Sequence, residues 1–451
     1  MIYDFRITIL DFEFKYSKRS LFSCYLIFIL IALLMLPASG FGQKVEIFGY
    51  FEPQLMGAKI KNEFYQLSSN KLRVDLQFKP SDKVAFGANF DYITYHGKTQ
   101  WDILEFLPKS VIDEAANPSF LGIDFNPYVL PFDDRQFLDN AYLKLSFKYA
   151  DFTVGKQQLS MGTGYVWNPT DVFNQKDMID PTYEQPGHNA LRLDMPFGSG
   201  FGLTTIYAPT EDWDYSDVLL KLKGRFSHFD LSILGIQKHW KFTDARLFDP
   251  IFMNFIQRDT KRQILGADIV GELLGLGVWA EYAFNDVKID DEMDKYLLAL
   301  ERFSPPHLSI IRLPSMEIPK NYYEFVAGMD YTFDFQTYVM CEYYRNTLAK
   351  SDYKKYNLND WMQLLSAEKK AISQDQLYLF IQHPATDLIN VGGSAIISIS
   401  DNSFALVPMM TYIVFENVDL NLFLNFYFGK EGTAYAKNLG NGGMVRARIY
   451  F

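Results

Sequence analysis

Val418-Asp-Leu-Asn-Leu-Phe-Leu-Asn-Phe-Tyr-Phe428 carries a two-residue period along its length. Its even positions, Val418, Leu420, Leu422, Leu424, Phe426 and Phe428, are all apolar, while the odd ones include Asp419, Asn421 and Asn425. Successive side chains of a strand point to opposite faces, so the spacing predicts a strand with one apolar and one polar face. The same alternation sets Leu72, Val74, Leu76 and Phe78 against Arg73, Asp75, Gln77 and Lys79. It also sets Tyr323, Phe325, Ala327, Met329, Tyr331 and Phe333 against Glu324, Asp330 and Thr332.

A soluble sandwich alternates in the same way, and the joints separate the two. Strands are predicted over 44–57, 70–79, 83–95, 138–149, 151–160, 188–195, 200–209, 216–226, 229–239, 261–273, 276–286, 321–333, 336–346, 374–382, 387–398, 403–414, 418–428 and 442–451. Every second joint is tight: Pro80 to Asp82, Ala150, Pro196 to Ser199, Ser227-His228, Leu274-Gly275, Asp334-Phe335, His383 to Thr386 and Phe415 to Asn417. The intervening joints are mostly long, notably 96–137, 161–187, 240–260, 287–320 and 347–373; the brief one near Asp401-Asn402 is the exception. About eighteen antiparallel strands, short turns on one rim and long loops on the other define an all-β transmembrane barrel with periplasmic turns and extracellular loops. A closed sheet pairs every backbone N–H and C=O without an edge, which hydrocarbon demands.

Composition agrees. Aromatics make up 17% of the 451 residues, and Tyr and Phe recur near predicted strand ends, where rings suit the boundary between lipid and water. The net charge is -11 without a long basic run, which argues against nucleic acid as a partner. Lys15, Lys18 and Arg19 precede an apolar run from Leu21 to Leu36 and small residues up to Gly42. That pattern predicts a signal peptide over 1–42 and a mature barrel over 43–451. Cys24 falls in the former, leaving Cys341, on the lipid face by parity, as an inert packing residue.

The last strand, Val445-Arg-Ala-Arg-Ile-Tyr-Phe451, is apolar at alternate positions, with Val445, Ala447, Ile449, Tyr450 and Phe451 as the outward and terminal residues. It resembles the C-terminal assembly signal of bacterial outer-membrane barrels, which implies insertion into outer-membrane lipid by the barrel-assembly machinery. Gly155-Lys-Gln-Gln-Leu-Ser-Met-Gly-Thr-Gly-Tyr-Val-Trp-Asn-Pro-Thr-Asp-Val-Phe-Asn174 is similar to segments of large porin-like outer-membrane families, and implies a porin-type architecture. Gln43 and the wealth of Tyr and Phe resemble Gram-negative Bacteroidota proteins.

With the apolar faces toward lipid, the opposite faces line the lumen. Basic residues Lys144, Lys148, Arg192, Lys221, Lys223, Arg225, Arg446 and Arg448 would form one arc, and acidic Asp268, Glu272, Glu281, Glu324, Asp330 and Glu342 another. Facing arcs would set a transverse field and hence selectivity; neutralisation between neighbouring strands is the competing arrangement. The 96–137 joint, with Trp101, Phe106, Phe120 and Tyr128, is too apolar to float freely and either enters the mouth or packs over the rim. The 161–187 joint reads as a solvated loop, with a sugar or cation site as the sharper alternative.

Catalytic patterns are weak. The histidines, His96, His188, His228, His239, His307 and His383, lack the spacing of a metal pair, no Gly-x-Ser-x-Gly elbow occurs, and Gly198 to Gly202 reads as a hairpin turn. No cofactor or metal is expected, and no enzyme activity. The leading expectation is a porin-like channel for passive diffusion of small hydrophilic solutes. Two rivals stay open: a plugged barrel that binds a polysaccharide or protein partner through its outer loops, and a barrel-embedded hydrolase. The sequence leaves open whether the barrel is a monomer or a homo-oligomer.

Overall fold

The structure is a computed structural model that describes residues 45–60, 63–115, 126–181, 183–198, 200–210, 213–249, 254–289, 320–366 and 368–451. The expected signal peptide and most of the 287–320 joint lie outside the described residues. The strands are β1 (Val45–Ile60), β2 (Glu63–Ser81) and β3 (Val84–Gly97), then a small ribbon of β4 (Gln100–Asp102) and β5 (Val129–Pro131). There follow β6 (Arg135–Ser146), β7 (Asp151–Gln157), β8 (His188–Pro196), β9 (Gly202–Ala208), β10 (Asp217–Phe226), β11 (Phe229–Asp249) and β12 (Asn254–Leu273). The remainder are β13 (Leu276–Ile289), β14 (Asn321–Thr332), β15 (Tyr338–Asn346), β16 (Asp375–Pro384), β17 (Ile389–Ser398), β18 (Ser403–Phe415), β19 (Val418–Phe428) and β20 (Asn441–Tyr450).

Leaving the ribbon aside, the strands form one 18-stranded sheet in which each pairs antiparallel with its neighbour in the chain. The sheet closes on itself because β20 also pairs with β1, in a register that sets Tyr50 against Tyr450 and Gln54 against Arg446. The Gly49 N–H donates to the Phe451 carbonyl and the Phe451 N–H to the Gly49 carbonyl, each at 3.1 Å. No edge is left, as a barrel in hydrocarbon requires.

The period-two pattern sorts side chains as expected. Leu72, Val74 and Leu76 alternate with buried Lys71, Arg73 and Asp75, and Leu422 and Leu424 with buried Phe423 and Asn425. Ile233 and Leu265, each 63% exposed, sit beside buried Leu234 and Ile264. An apolar residue exposed on every second position meets lipid, because water would penalise so large a continuous patch. The tight joints also fall where expected. Leu274 and Gly275 both have positive φ, the geometry of a two-residue hairpin turn whose twist matches the flanking strands.

Two expected joints are instead strand. β1 and β2 stay in register to Ile60 and Glu63, and β11 and β12 pair as far as Asp249 and Asn254, with one register shift after Asp244. Polar outward residues such as Lys59 and Lys241 broke the apolar alternation there. Above the membrane no apolar outer face is needed, and inward Trp240 and Phe242 pack with Val287 and Tyr322 to hold the extension.

The long-loop end of the barrel is filled. The β4/β5 ribbon, a 3-10 turn at Ile103–Phe106, helix α1 (Lys109–Ile112) and helix α2 (Leu358–Leu365) share one core with inward residues of the wall, among them Ile60, Tyr65, Val326, Tyr344, Tyr378 and Tyr427. The described part of the 96–137 joint therefore enters the mouth. Trp101 stacks on Phe106 and meets Tyr65 edge to face, and the Tyr128 hydroxyl donates to the Ala245 carbonyl on β11 at 2.6 Å. Each large side chain buried here contributes about 1.5–3 kcal/mol, which is why so apolar a connection does not lie in solvent.

Candidate lumen site

The described residues of 158–187, between β7 and β8, are nearly all buried or half-buried, so the solvated loop expected over 161–187 is an inserted segment. Two wall carboxylates hold it. Glu281 on β13 accepts N–H donors from Thr163 at 2.7 Å, Gly164 at 3.2 Å and Thr170, and also the Thr170 hydroxyl at 2.8 Å. Glu342 on β15 accepts the backbone N–H of Tyr165, of Val166 at 2.8 Å and of Trp167 at 3.0 Å, together with the Trp279 indole N–H at 2.8 Å. Charge-assisted bonds of this kind are about twice as strong as neutral ones, and here they replace the strand partners that an irregular backbone lacks.

Local sequence makes the approach feasible. Gly162 has a φ of +79°, and a Cβ there would lie 2.5 Å from Glu281 Oε2; only glycine fits both conditions. Asp171 accepts the N–H groups of Met161, Phe173 and Asn174 and so folds the segment on itself. From outside it, Lys370 Nζ donates to the carbonyls of Asn168 and Asp171. Trp167 stacks on Tyr344 of the wall with centroids 5.1 Å apart.

The end of the segment meets a charged patch on β1, β2, β3, β6 and β20. Glu184 accepts from the Tyr50 hydroxyl at 2.6 Å, Lys71 Nζ at 3.1 Å and Arg73 Nη1 at 3.1 Å. Arg73 also pairs with Asp75 and Asp139, and Lys71 with Asp91 at 3.3 Å. On the far side Arg446 meets Asp180 at 2.6 Å, and Arg448 meets Glu52 at 2.6 Å. Glu52 also accepts from the Tyr183 hydroxyl. Every charge named is within reach of an opposite one, which offsets the desolvation that a buried ion suffers.

Most of the other charged residues singled out in the sequence have local partners. Lys144 lies 2.8 Å from Asp151, Arg192 2.7 Å from Asp194, and Lys223 and Arg225 3.2 and 2.8 Å from Asp230. Lys221 and Asp268, expected on opposite arcs, are 2.9 Å apart, because β10 and β12 both flank β11 and their inward side chains converge. Glu324 accepts from the Tyr344 hydroxyl and Asp330 from the Tyr338 hydroxyl. Lys148 falls in the turn after β6, over the Tyr149 ring, and Glu272 is exposed beside the β12–β13 turn. Val445 is exposed on the outside of β20 and Phe451 just after it, with Ala447 and Ile449 at outward parity between them, whereas Tyr450 lies opposite Tyr50 on the inner face, the two rings meeting edge to face.

Sequence reasoning missed Tyr50, Glu52, Lys71, Asp91 and Asp139, and it placed Glu184 in the 161–187 joint as part of a loop or of a sugar or cation site, without its partners on the wall. Parity along β2 already set Arg73 and Asp75 on the polar face, and Lys71 continues that row. Glu184 carried no such signal, since its position depends on how the segment inserts. Among the described residues no group of three or more His, Cys, Asp and Glu is placed to hold a metal ion.

A closed cylinder of eighteen antiparallel strands, apolar outside and charge-paired within, defines the class: a transmembrane β-barrel of the outer membrane. The fold is similar to that of OccAB1 from Acinetobacter baumannii, with a TM-score of 0.51 at 10% identity over 91% of this chain and 97% of that one. OmpT of Vibrio cholerae in its trimer form gives 0.44 at 10% identity, covering 91% and 99%. A mutant of the Rh. blastica porin gives 0.40 at 12% identity, covering 90% and 100%. No protein-family model and no curated protein matches the sequence.

Proposed function

We propose that the chain is an outer-membrane channel of the porin type for passive diffusion of small hydrophilic solutes, narrowed by its inserted segments. The observation that carries this reading is the polar inner wall, with residues 158–187 drawn across it by Glu281 and Glu342. Barrels of sixteen to eighteen strands have room for an aqueous lumen, and side-chain charges at a narrow point select solutes at close range. The basic residues Lys221, Lys223 and Arg225 and the acidic Asp268 and Asp230 beside them would tune that selection. Export by the 1–42 segment, insertion by the barrel-assembly machinery and any homo-oligomer belong to this reading.

Single-channel recording in planar bilayers tests it: a steady, low conductance is expected. Neutralising Lys221, Lys223 and Arg225 together should shift the reversal potential toward cation preference; an unchanged potential would remove these residues from the conduction path. One observation favours a second reading, a sealed barrel that binds a polysaccharide or protein through its outer loops. It is the continuous apolar core across the long-loop end, and a silent bilayer would support it.

A further inference from the structure

Within the core of the long-loop end lies a cavity of about 70 Å³, several times the roughly 10–15 Å³ that one water needs. Five separate parts of the chain build it: Phe106 from the 3-10 turn, Met178 from the inserted segment, Trp361 from α2, Ala405 from β18 and Tyr435 from the joint before β20. Its lining is overwhelmingly apolar, and the polar groups present are mostly engaged with each other. The Tyr435 hydroxyl donates to Gln376 Oε1 at 2.5 Å, and Asp177 accepts the Ile179 N–H at 2.7 Å.

One donor stands apart. Trp361 is 2% exposed, and its indole N–H finds no partner among the described residues. A buried donor left without an acceptor is costly and uncommon. Apolar walls with few convergent polar groups are the usual build of a small-molecule site. Asp177, the one ionisable carboxylate in the lining, disfavours an anion there.

From these observations we infer that the cavity is a binding site for a small neutral molecule with an apolar body and one hydrogen-bond-accepting oxygen, which the Trp361 indole N–H meets. The site is separate from the polar wall invoked for hydrophilic solutes, so conductance without ligand does not bear on it.

The full chain in lipid nanodiscs is titrated with cyclohexanone, its hydrocarbon isostere methylenecyclohexane, and cyclohexanecarboxylate, and binding is read by saturation-transfer NMR against empty nanodiscs. Saturable binding of cyclohexanone is expected, weaker binding of methylenecyclohexane, and none of the carboxylate. Trp361→Phe should weaken cyclohexanone roughly three- to tenfold, the range of one hydrogen bond, and leave methylenecyclohexane unchanged. Ala405→Phe, which fills the cavity from the wall, should abolish binding of both. No saturation above empty nanodiscs, preference for the carboxylate, equal loss of both neutral ligands in Trp361→Phe, or undiminished binding in Ala405→Phe would each overturn the assignment. Should Trp361→Phe lose its β-sheet circular dichroism, the ligand series on the unmodified chain and the Ala405→Phe variant decide.

Discussion

Glu342 is fully buried and gathers four N–H donors on one carboxylate. Replacing it with Ala strands them, at roughly 1–3 kcal/mol for each donor left unpaired. Glu342→Ala is therefore expected to lower the thermal midpoint and, in the channel reading, to raise single-channel current as residues 165–167 come loose. Gly162→Ala attacks the same clasp from the other partner, through a strained φ and a clash with Glu281, and should act in the same direction. A current equal to wild type in both variants would mean that the segment does not restrict passage. On the outer surface, Ile233→Arg should cost up to about 2–4 kcal/mol of barrel stability, depending on its depth in the bilayer, measured by reversible unfolding in vesicles. The inward or outward sense of Glu342 and Ile233 was legible in the sequence because lipid imposes a period of two. That Glu342 holds Tyr165, 177 residues away, was not, since nothing local marks a carboxylate whose partner is a distant backbone.

Helix α2 shows how a loop element is fixed without a strand partner. Asn357 caps it, Asp360 completes a capping box, and Asp360 also pairs with Lys369 at 2.8 Å and Lys350 at 2.6 Å. Burial opposes ionisation of Asp360, but Lys369, the Asn357 N–H and Lys350 outweigh it and hold its pKa below the usual value. A carboxylate with a depressed folded pKa stabilises above its unfolded value of about 4 and loses that contribution as pH falls through the folded one. The protection of the amides of residues 358–365, the factor by which their exchange is slowed relative to an unstructured chain at the same pH, should thus be high near neutrality and fall as the pH drops below about 4. Asp360→Asn should exchange faster at neutral pH, by about 1–2 kcal/mol in opening free energy, and lose the acid response. If protection in the unmodified chain stays constant over that range, the ion pairs do not hold the helix. Among elements, the hairpin turns were readable from Gly, Pro and Asn at tight joints. The extensions of β1 and β2 and of β11 and β12 were not, because their pairing is held by inward packing that no outward alternation betrays.

Across the whole barrel, the count of eighteen followed from repeated alternation, whereas entry of the 96–137 joint into the mouth stayed one of two alternatives and the shared core of the long-loop end was not foreseen. Four joints far apart in sequence contribute to that core, and each alone resembles a loop with too many rings. The seam between β1 and β20 has a consequence of its own. Its two halves come from opposite ends of the described chain, so the intervening hairpins can accumulate one after another while the cylinder stays open, its first strand waiting for its last. Removing residues 441–451 should then leave two unpaired strands instead of a narrower tube, and the product should form protease-sensitive aggregates that fail to resist heated detergent. A folded, heat-resistant seventeen-stranded product would show that closure tolerates another partner. Until that seam forms, β1 and β20 each carry a row of unpaired backbone N–H and C=O groups that hydrocarbon penalises.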